Sequence, residues 1–386
     1  RFFIRPFERY IKSDGERIKS NSDGEPISDL CTKTAEKCLQ NLGINKNDIT
    51  CVVAAFEDND FLSPGLSSII LTKMGLSKFL PHYNIQGMAC STLPKLLELG
   101  KNLINNENDK ILFVISGCNS GWYLPHLKNN MSVKNPKEIN SEQYDREQQL
   151  SKWVSTMFSF LFGDGVAAFV MTKTNSDNYG VKIGKITHAV NFDNSDYRKA
   201  CVRLVGNSSS HMYEHELTAG SDILQRSLDY SKKVLFKSFN KQDEKYDETH
   251  FVNCCSRSYC YELTAGSDIL QRSLDYSKKV LFKSLNKQNE QYDNNIAEEF
   301  MSTQKKVMIH TGNLKILDGF KNLYKLNDNQ IKESFDTLQE YGNLTGVSIP
   351  TVLDKAMFQN NSLSGKGLLI GITMGFGLDI VEVEKD

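Results

Sequence analysis

A chain of 386 residues, 39% of them hydrophobic, can bury a large core, and its length suits two domains or one doubled domain. A formal net charge of -1 gives no sign of a nucleic-acid partner, no window approaches the roughly 18 consecutive apolar residues of a membrane span, and Arg1-Phe2-Phe3-Ile4-Arg5 lacks the apolar core of a signal peptide. Nine cysteines without CxxC pairs point to a reducing, cytoplasmic setting, and no Walker loop, strand-linked GxGxxG, HExxH or zinc-type spacing supports ATP, dinucleotide or metal chemistry.

The first residue is not methionine, so the sequence reads as a processed chain or part of a longer one. Residues 28–42 carry the spacing of an amphipathic helix ending near Gly43, followed by a buried strand over 50–56. Asp58, Asn59, Asp60, Pro64 and Gly65 make a polar turn before a helix over 66–74. After Pro81, residues 82–86 read as a strand; Leu93, Leu96, Leu97, Gly100, Leu103 and Ile104 then recur at helical spacing. Cys90, in Gly87-Met88-Ala89-Cys90-Ser91-Thr92, therefore stands on a strand-to-helix elbow. Ser91 or Thr92 would cap that helix, Pro94 fits its first turn, and the positive end of the helix would favour the thiolate. A thiolate is a strong nucleophile; the competing reading is a small buried hydrophobe.

Residues 111–115 form an apolar strand leading into Ser116-Gly117-Cys118-Asn119-Ser120-Gly121. Cys118 is the rival nucleophile, but no amphipathic helix begins after it. Residues 127–149 read as a polar surface insertion, order resumes over 153–160, and Gly163-Asp164-Gly165 reads as a tight turn feeding a strand to Val170. Another strand spans 181–190. Residues 216–247 and 262–293 are then the same segment at an offset of 46, differing only at Phe239/Leu285, Asp243/Asn289 and Lys245/Gln291. Each copy carries one amphipathic helix, and two copies are too few for a solenoid. One copy is expected to fill a native slot while the other is an insertion, whether a local duplication or an error in reading the gene.

A strand over 305–309 ends in His310-Thr311-Gly312-Asn313, ahead of a helix with Leu314, Leu317, Phe320 and Leu323 on one face. A helix over 328–340 leads into Tyr341-Gly342-Asn343-Leu344-Thr345-Gly346 and a further helix. Strands over 367–373 and 378–383 flank Met374-Gly375-Phe376-Gly377. Such alternation predicts an α/β fold whose sheets are covered on both faces.

A cysteine elbow, a histidine at a strand end and an asparagine in a turn are the parts of a thiolate acyl-transfer site. His310 could hold Cys90 as an ion pair and donate a hydrogen bond to a thioester oxygen, with the Asn343 amide donating a second.

These motifs resemble the thiolase superfamily and, within it, the chalcone-synthase-like type III polyketide synthases. Their nucleophile elbow, LFGDG segment, H-P-G-G segment and Y-G-N-(M/L)-S/T segment occur here in the same order, and the likeness runs from about residue 28 to the end, outside the insertion before Trp153 and one repeat copy. The resemblance implies a duplicated five-layer αβαβα fold of two similar halves. Residues 1–175 would carry the nucleophile, and 176–386 the histidine and asparagine together with the duplication at about 215–260 and 261–306. It implies that Cys90 is acylated, that His310 and Asn343 activate a malonyl thioester for decarboxylation, and that Phe162, Gly163, Met374 and Gly375 border the substrate cavity. It further implies an acyl-CoA or acyl-carrier-protein starter, malonyl-CoA as extender, no tightly bound cofactor, a homodimer, and in some members a place at the carboxyl end of a larger synthase.

Departures limit the carry-over. Thr311 and Asn313 replace the family's proline and second glycine, expected to loosen that turn; the 54–64 stretch lacks the family's small cavity-lining threonine and serine; the late GFGPG loop is matched only by 373–377. A 3-ketoacyl-CoA synthase, which stops after one condensation, and an inactive paralogue or fragment are the alternatives.

Overall fold

The computed structural model describes residues 2–4, 26–57, 59–61, 63–119, 161–173, 180–189, 200–206, 213–219, 299–359, 363–373 and 377–385. The insertion over 127–149, the segment 153–160, Met374, Gly375 and the paired repeat helices lie outside them. The chain divides into a unit of 1–187, 298–373 and 379–386 and a second of 188–297 and 374–378; the boundary expected at 175/176 falls inside the first. In the second, β7 (Ala200–Gly206) pairs antiparallel with β8 (Tyr213–Ala219), so the first repeat copy begins in a strand.

The first unit is built from two sheets. One has the order β1-β5-β4-β2-β3, from Phe2–Ile4, Asp164–Met171, Ile111–Cys118, Cys51–Phe56 and His82–Gln86. β2 lies parallel to β3 and β4, and β5 runs antiparallel to β4. The other sheet has the order β6-β11-β10-β9, from Lys182–Ala189, Gly377–Lys385, Gly365–Thr373 and Lys306–Ile309, with β9 and β10 parallel. The helices are α1 (Ile27–Leu42), α2 (Leu66–Lys73), α3 (Thr92–Leu103), α4 (Leu314–Leu323), α5 (Asp328–Tyr341) and α6 (Ser348–Asp354).

The alternation of apolar residues along the strands sets the layering. Val52, Ala54, Leu112 and Val114 point to one side and bury Leu30, Ala35, Leu39, Leu66 and Ile70 of α1 and α2. Val53, Phe113 and Ile115 point to the other, where Leu93, Leu96 and Leu97 of α3 and Ile349 and Val352 of α6 lie between them and Met308, Leu369 and Val381 of the second sheet. Beyond that sheet α5 covers β9: the Ser334 hydroxyl accepts from the Ile309 amide at 2.9 Å, and Lys306 forms a buried ion pair with Glu333, also 2.9 Å. The order is helix, sheet, helix, sheet, helix, with α3 and α6 in the shared central layer.

Local chemistry explains the ends. α1 starts after Pro26, which has no capping side chain; instead the Asp60 carboxylate accepts from the amides of Ile27 and Ser28, each at 2.8 Å, so the polar turn caps a helix distant in sequence. α1 ends at Gly43 in the left-handed conformation, φ 63°. Asn327 and Gln330 form a capping box on α5. Two expectations are corrected. The Gly163-Asp164-Gly165 stretch is not a tight turn, because Asp164 already pairs with Cys118 in β5. Ser91 gives no side-chain cap to α3; its buried hydroxyl has no partner, and the Thr92 hydroxyl donates back to the Ala89 carbonyl at 2.6 Å.

Candidate active site

Cys90 lies in a 3-10 turn, Ala89–Ser91, between β3 and α3. The chain reverses there through two residues of positive φ, Gly87 at 80° and Ala89 at 41°. For a residue with a Cβ the second is strained, and it persists because surrounding contacts hold it. Two glycines let those contacts close. A Cβ on Gly346 would stand 2.7 Å from the Thr92 hydroxyl and 3.1 Å from the Ala89 carbonyl, and one on Gly371 would stand 2.9 Å from the Ser91 hydroxyl. The elbow is thus pressed between the 3-10 turn Thr345–Val347 and strand β10.

These two supports carry the other candidates. His310 follows β9, and its amide donates to the Ile370 carbonyl at 2.9 Å, the residue before Gly371. Asn343 lies two residues before Thr345; its Oδ1 accepts from the Thr345 amide at 2.9 Å and the Ser348 hydroxyl at 3.5 Å, while its Nδ2 donates to the Gly312 carbonyl at 3.4 Å. With its oxygen engaged on one side, the amide turns its nitrogen towards the His310-Thr311-Gly312 segment. Phe162 and Gly163 join the same group: Phe162 and Asn343 form an isolated parallel bridge, the Gly163 amide donates to the Asn343 carbonyl, and the Asn343 amide donates to Leu161. Met374 and Gly375 lie outside the described residues.

Thr311, expected to loosen its turn, is buried and tied in. Its hydroxyl reaches the Gly342 carbonyl at 3.2 Å and the Ser348 hydroxyl at 3.0 Å. Two further residues escaped the sequence reading. Buried Asn119 donates to the carbonyls of Gly117 and Gly163, at 3.1 and 2.9 Å, and so clamps the Phe162 segment to β4. Glu57 follows β2, and its Oε1 accepts from the Ala89 amide at 2.5 Å. Neither belongs to a spacing motif; only the sheet register brings them in. Cys118 is buried in β4, its sulfur 3.9 Å from the Gly165 carbonyl.

The electrostatics correct the expected ion pair. Cys90 is half-buried, and burial with the nearby Glu57 charge pushes its thiol up to about 12. Burial lowers His310 to about 3, and its Nδ1 is enclosed without a hydrogen-bond partner. Both shifts favour the neutral forms near neutral pH, a thiol at Cys90 and an uncharged imidazole at His310. The helix terminus does not overcome desolvation. Such an imidazole keeps one nitrogen able to accept a proton and one N–H able to donate. Among the described residues no group of three or more His, Cys, Asp or Glu side chains could hold a metal ion, and no helix is long and apolar enough to cross a membrane.

No family model matches the chain. It is 26% identical over 159 residues to the beta-ketoacyl-(acyl-carrier-protein) synthase III of Ehrlichia canis, a match covering 41% of this chain and 41% of that relative. It is 23% identical over 358 residues to the protein of the same name from Sulfurimonas denitrificans, covering 92% of this chain and 82% of the relative. The match thus spans about two fifths of the first relative's length and about four fifths of the second's. Among solved structures it resembles OleA of Xanthomonas campestris, 15% identical with a TM-score of 0.62, over 94% of this chain and 83% of that one. It also resembles the C-terminal type III polyketide synthase domain of Steely1, a type I/III hybrid from Dictyostelium, 16% identical with a TM-score of 0.58, over 95% and 78%.

Proposed function

We infer that this chain, which has the thiolase fold, is an acyl-condensing enzyme of the type III polyketide synthase kind. The observation that carries the reading is the convergence of three segments: the strained Cys90 elbow, the strand end bearing His310, and the turn bearing Asn343, joined through Gly346, Gly371 and Gly312.

The chemistry starts from a neutral thiol and a neutral imidazole. Cys90 attacks an acyl thioester while its proton is handed through His310 to the departing sulfur in one concerted step, so that neither a free thiolate nor an imidazolium accumulates; the new carbon–sulfur bond forms and the old one breaks. A malonyl thioester then loses its carboxylate as carbon dioxide, leaving the bond electrons as an enolate. The N–H of neutral His310 and the Nδ2 of Asn343 are the donors suited to its oxygen. The enolate carbon attacks the acyl carbonyl on Cys90, and the thiolate leaves. Repetition and ring closure would give a polyketide, with Phe162 and Gly163 at the cavity border.

Coenzyme A or carrier-protein thioesters would be the substrates, without a tightly bound cofactor, in a cytoplasmic setting. A homodimer belongs to the same proposal, because β3 forms an edge of its sheet with His82, Tyr83, Asn84 and Gln86 exposed. A place at the carboxyl end of a larger synthase is consistent with it. The test is incubation with a panel of acyl-CoA starters and malonyl-CoA, with Cys90→Ala as the control. Triketide or longer pyrones, lost in the control, support the reading. A single 3-ketoacyl product would make the chain a one-step ketoacyl synthase, and acylation elsewhere than Cys90 would overturn it.

A further inference from the structure

We propose that Glu57 is a positioning residue of the nucleophile, its carboxylate anchoring the strained elbow through the Ala89 amide and setting a negative charge beside Cys90. Topology puts it there. β2 and β3 run parallel with Phe56 opposite Gln86, so the two chains leave the sheet side by side as Glu57 and Gly87. Gln86 Nε2 donates to the Glu57 carbonyl at 3.3 Å, and the Glu57 side chain folds over the elbow to take the Ala89 amide at 2.5 Å. That amide belongs to the residue with φ 41°, directly before Cys90. An ionised acceptor there makes a stronger bond than a neutral one and holds a conformation the backbone would otherwise leave.

The same placement brings a negative charge to the nucleophile. Burial raises the Glu57 carboxyl, opposed by hydrogen bonds from the amides of Ala89, Gly87 and Met88. Other charged groups around the elbow are engaged or neutral. Lys95 of α3 pairs with Asp379 of β11 at 3.1 Å, and His310 beyond β9 is uncharged near neutrality. The Thr345–Val347 turn carries no ionisable side chain, and β10 has Lys366 near its far end. Among the described residues, Glu57 is the group whose charge bears on Cys90. A thiol so held reacts slowly with oxidants and alkylating agents, which require the thiolate. The proposal rests on Cys90 being the acylated nucleophile, but its readout does not need condensation to be observed.

The test is the rate of iodoacetamide labelling at Cys90, followed by peptide mass at pH 8 and pH 9, in the full chain and its Glu57 variants. Glu57→Gln keeps an oxygen for the Ala89 amide and removes the charge. It is expected to label several-fold faster than the parent at both pH values, roughly tenfold for each unit the thiol falls, with a thermal midpoint lowered less than that of Glu57→Ala. Glu57→Ala removes charge and anchor, and is expected to label faster with a lowered midpoint. A purely structural Glu57 would accelerate labelling in the alanine variant but not in the glutamine one, which would overturn the charge role. Should Glu57→Gln fail to fold, Glu57→Asp decides: retained slow labelling supports the charge role, and labelling as fast as Glu57→Ala overturns it.

Discussion

The backbone of Phe162 pairs with that of Asn343 as a single parallel bridge, flanked by hydrogen bonds from Asn343 to Leu161 and from Gly163 to Asn343. Two segments far apart in sequence therefore have one register, and moving either moves both. Gly163 is where they lie closest: a Cβ there would stand 2.3 Å from the Tyr341 carbonyl and 2.9 Å from Leu344. Gly163→Ala is expected to part the bridge and cost about 1–3 kcal/mol of stability by overpacking. Decarboxylation should fall more than Cys90 acylation, because Asn343 is displaced and the elbow is not. Equal loss of both steps would mean the bridge supports the whole fold rather than Asn343.

Asn343 and His310 are expected to separate the two half-reactions. Asn343→Ala and His310→Gln should each slow malonyl decarboxylation by roughly 10²-fold or more, as for removal of an oxyanion donor. Acyl transfer to Cys90 should survive in Asn343→Ala and fall in His310→Gln, where the proton acceptor is gone. Release of labelled carbon dioxide and mass detection of the acyl-enzyme read the steps independently. Normal decarboxylation in both variants would remove these residues from the mechanism.

His310 also sets an acid limb of stability. Burial holds it near 3 against an ordinary 6.5, so below pH 6.5 the unfolded chain binds a proton that the folded chain refuses. This group therefore costs nothing above pH 6.5, and stability falls as pH drops from about 6.5 towards 3, by roughly 1.4 kcal/mol per unit. Between pH 7 and pH 5 the loss is about 2 kcal/mol, and His310→Gln should abolish that share. Urea unfolding at the two pH values measures it; an equal drop in parent and variant would show that His310 is solvated in solution.

The buried pair Lys306–Glu333 ties β9, and so the strand end bearing His310, to α5. Lys306 also donates to the Asn329 carbonyl at 2.5 Å. Lys306→Met leaves Glu333 buried without its cation and is expected to cost about 3–5 kcal/mol, whereas replacing both residues by apolar ones should recover much of that. A double variant no more stable than the single one would argue that the pair is needed for register.

Legibility followed periodicity. The helices over 28–42 and 66–74 and the strand over 82–86 were readable in the sequence, and their observed ends fall within a residue or two. The strand after Ile111 runs on to Cys118 because Ser116, Gly117 and Cys118 pair with β5, a partner that composition does not reveal. Cys90, His310 and Asn343 stood out through their turns, but the glycines that press the elbow into place did not, since their role is what a Cβ would strike. Glu57 and Asn119 were missed for a related reason: each acts on backbone groups 32 and 44 residues away. The position of Cys90 before a helix is visible in sequence, whereas the desolvation that raises its thiol is not.

Gly346 gives the sharpest test of how the elbow is held. It sits in the turn beside Asn343, and a Cβ would meet the Thr92 hydroxyl at 2.7 Å, the Thr92 Cβ at 3.0 Å and the Ala89 carbonyl at 3.1 Å. The hydroxyl–carbonyl pair it would strike is the elbow's own 2.6 Å hydrogen bond, so Gly346→Ala must either break that bond or push the turn away. Either response moves Cys90 relative to Asn343. We expect at least a tenfold loss of condensation, as small misplacements of reacting groups are costly, with a stability loss of about 1–3 kcal/mol. Gly43→Ala is the matched control: it has φ 63° and nothing within 4 Å, so it should lose roughly 1 kcal/mol from backbone strain and keep full activity. If both variants lost stability alike and neither lost activity, the contact between elbow and turn would not position the nucleophile.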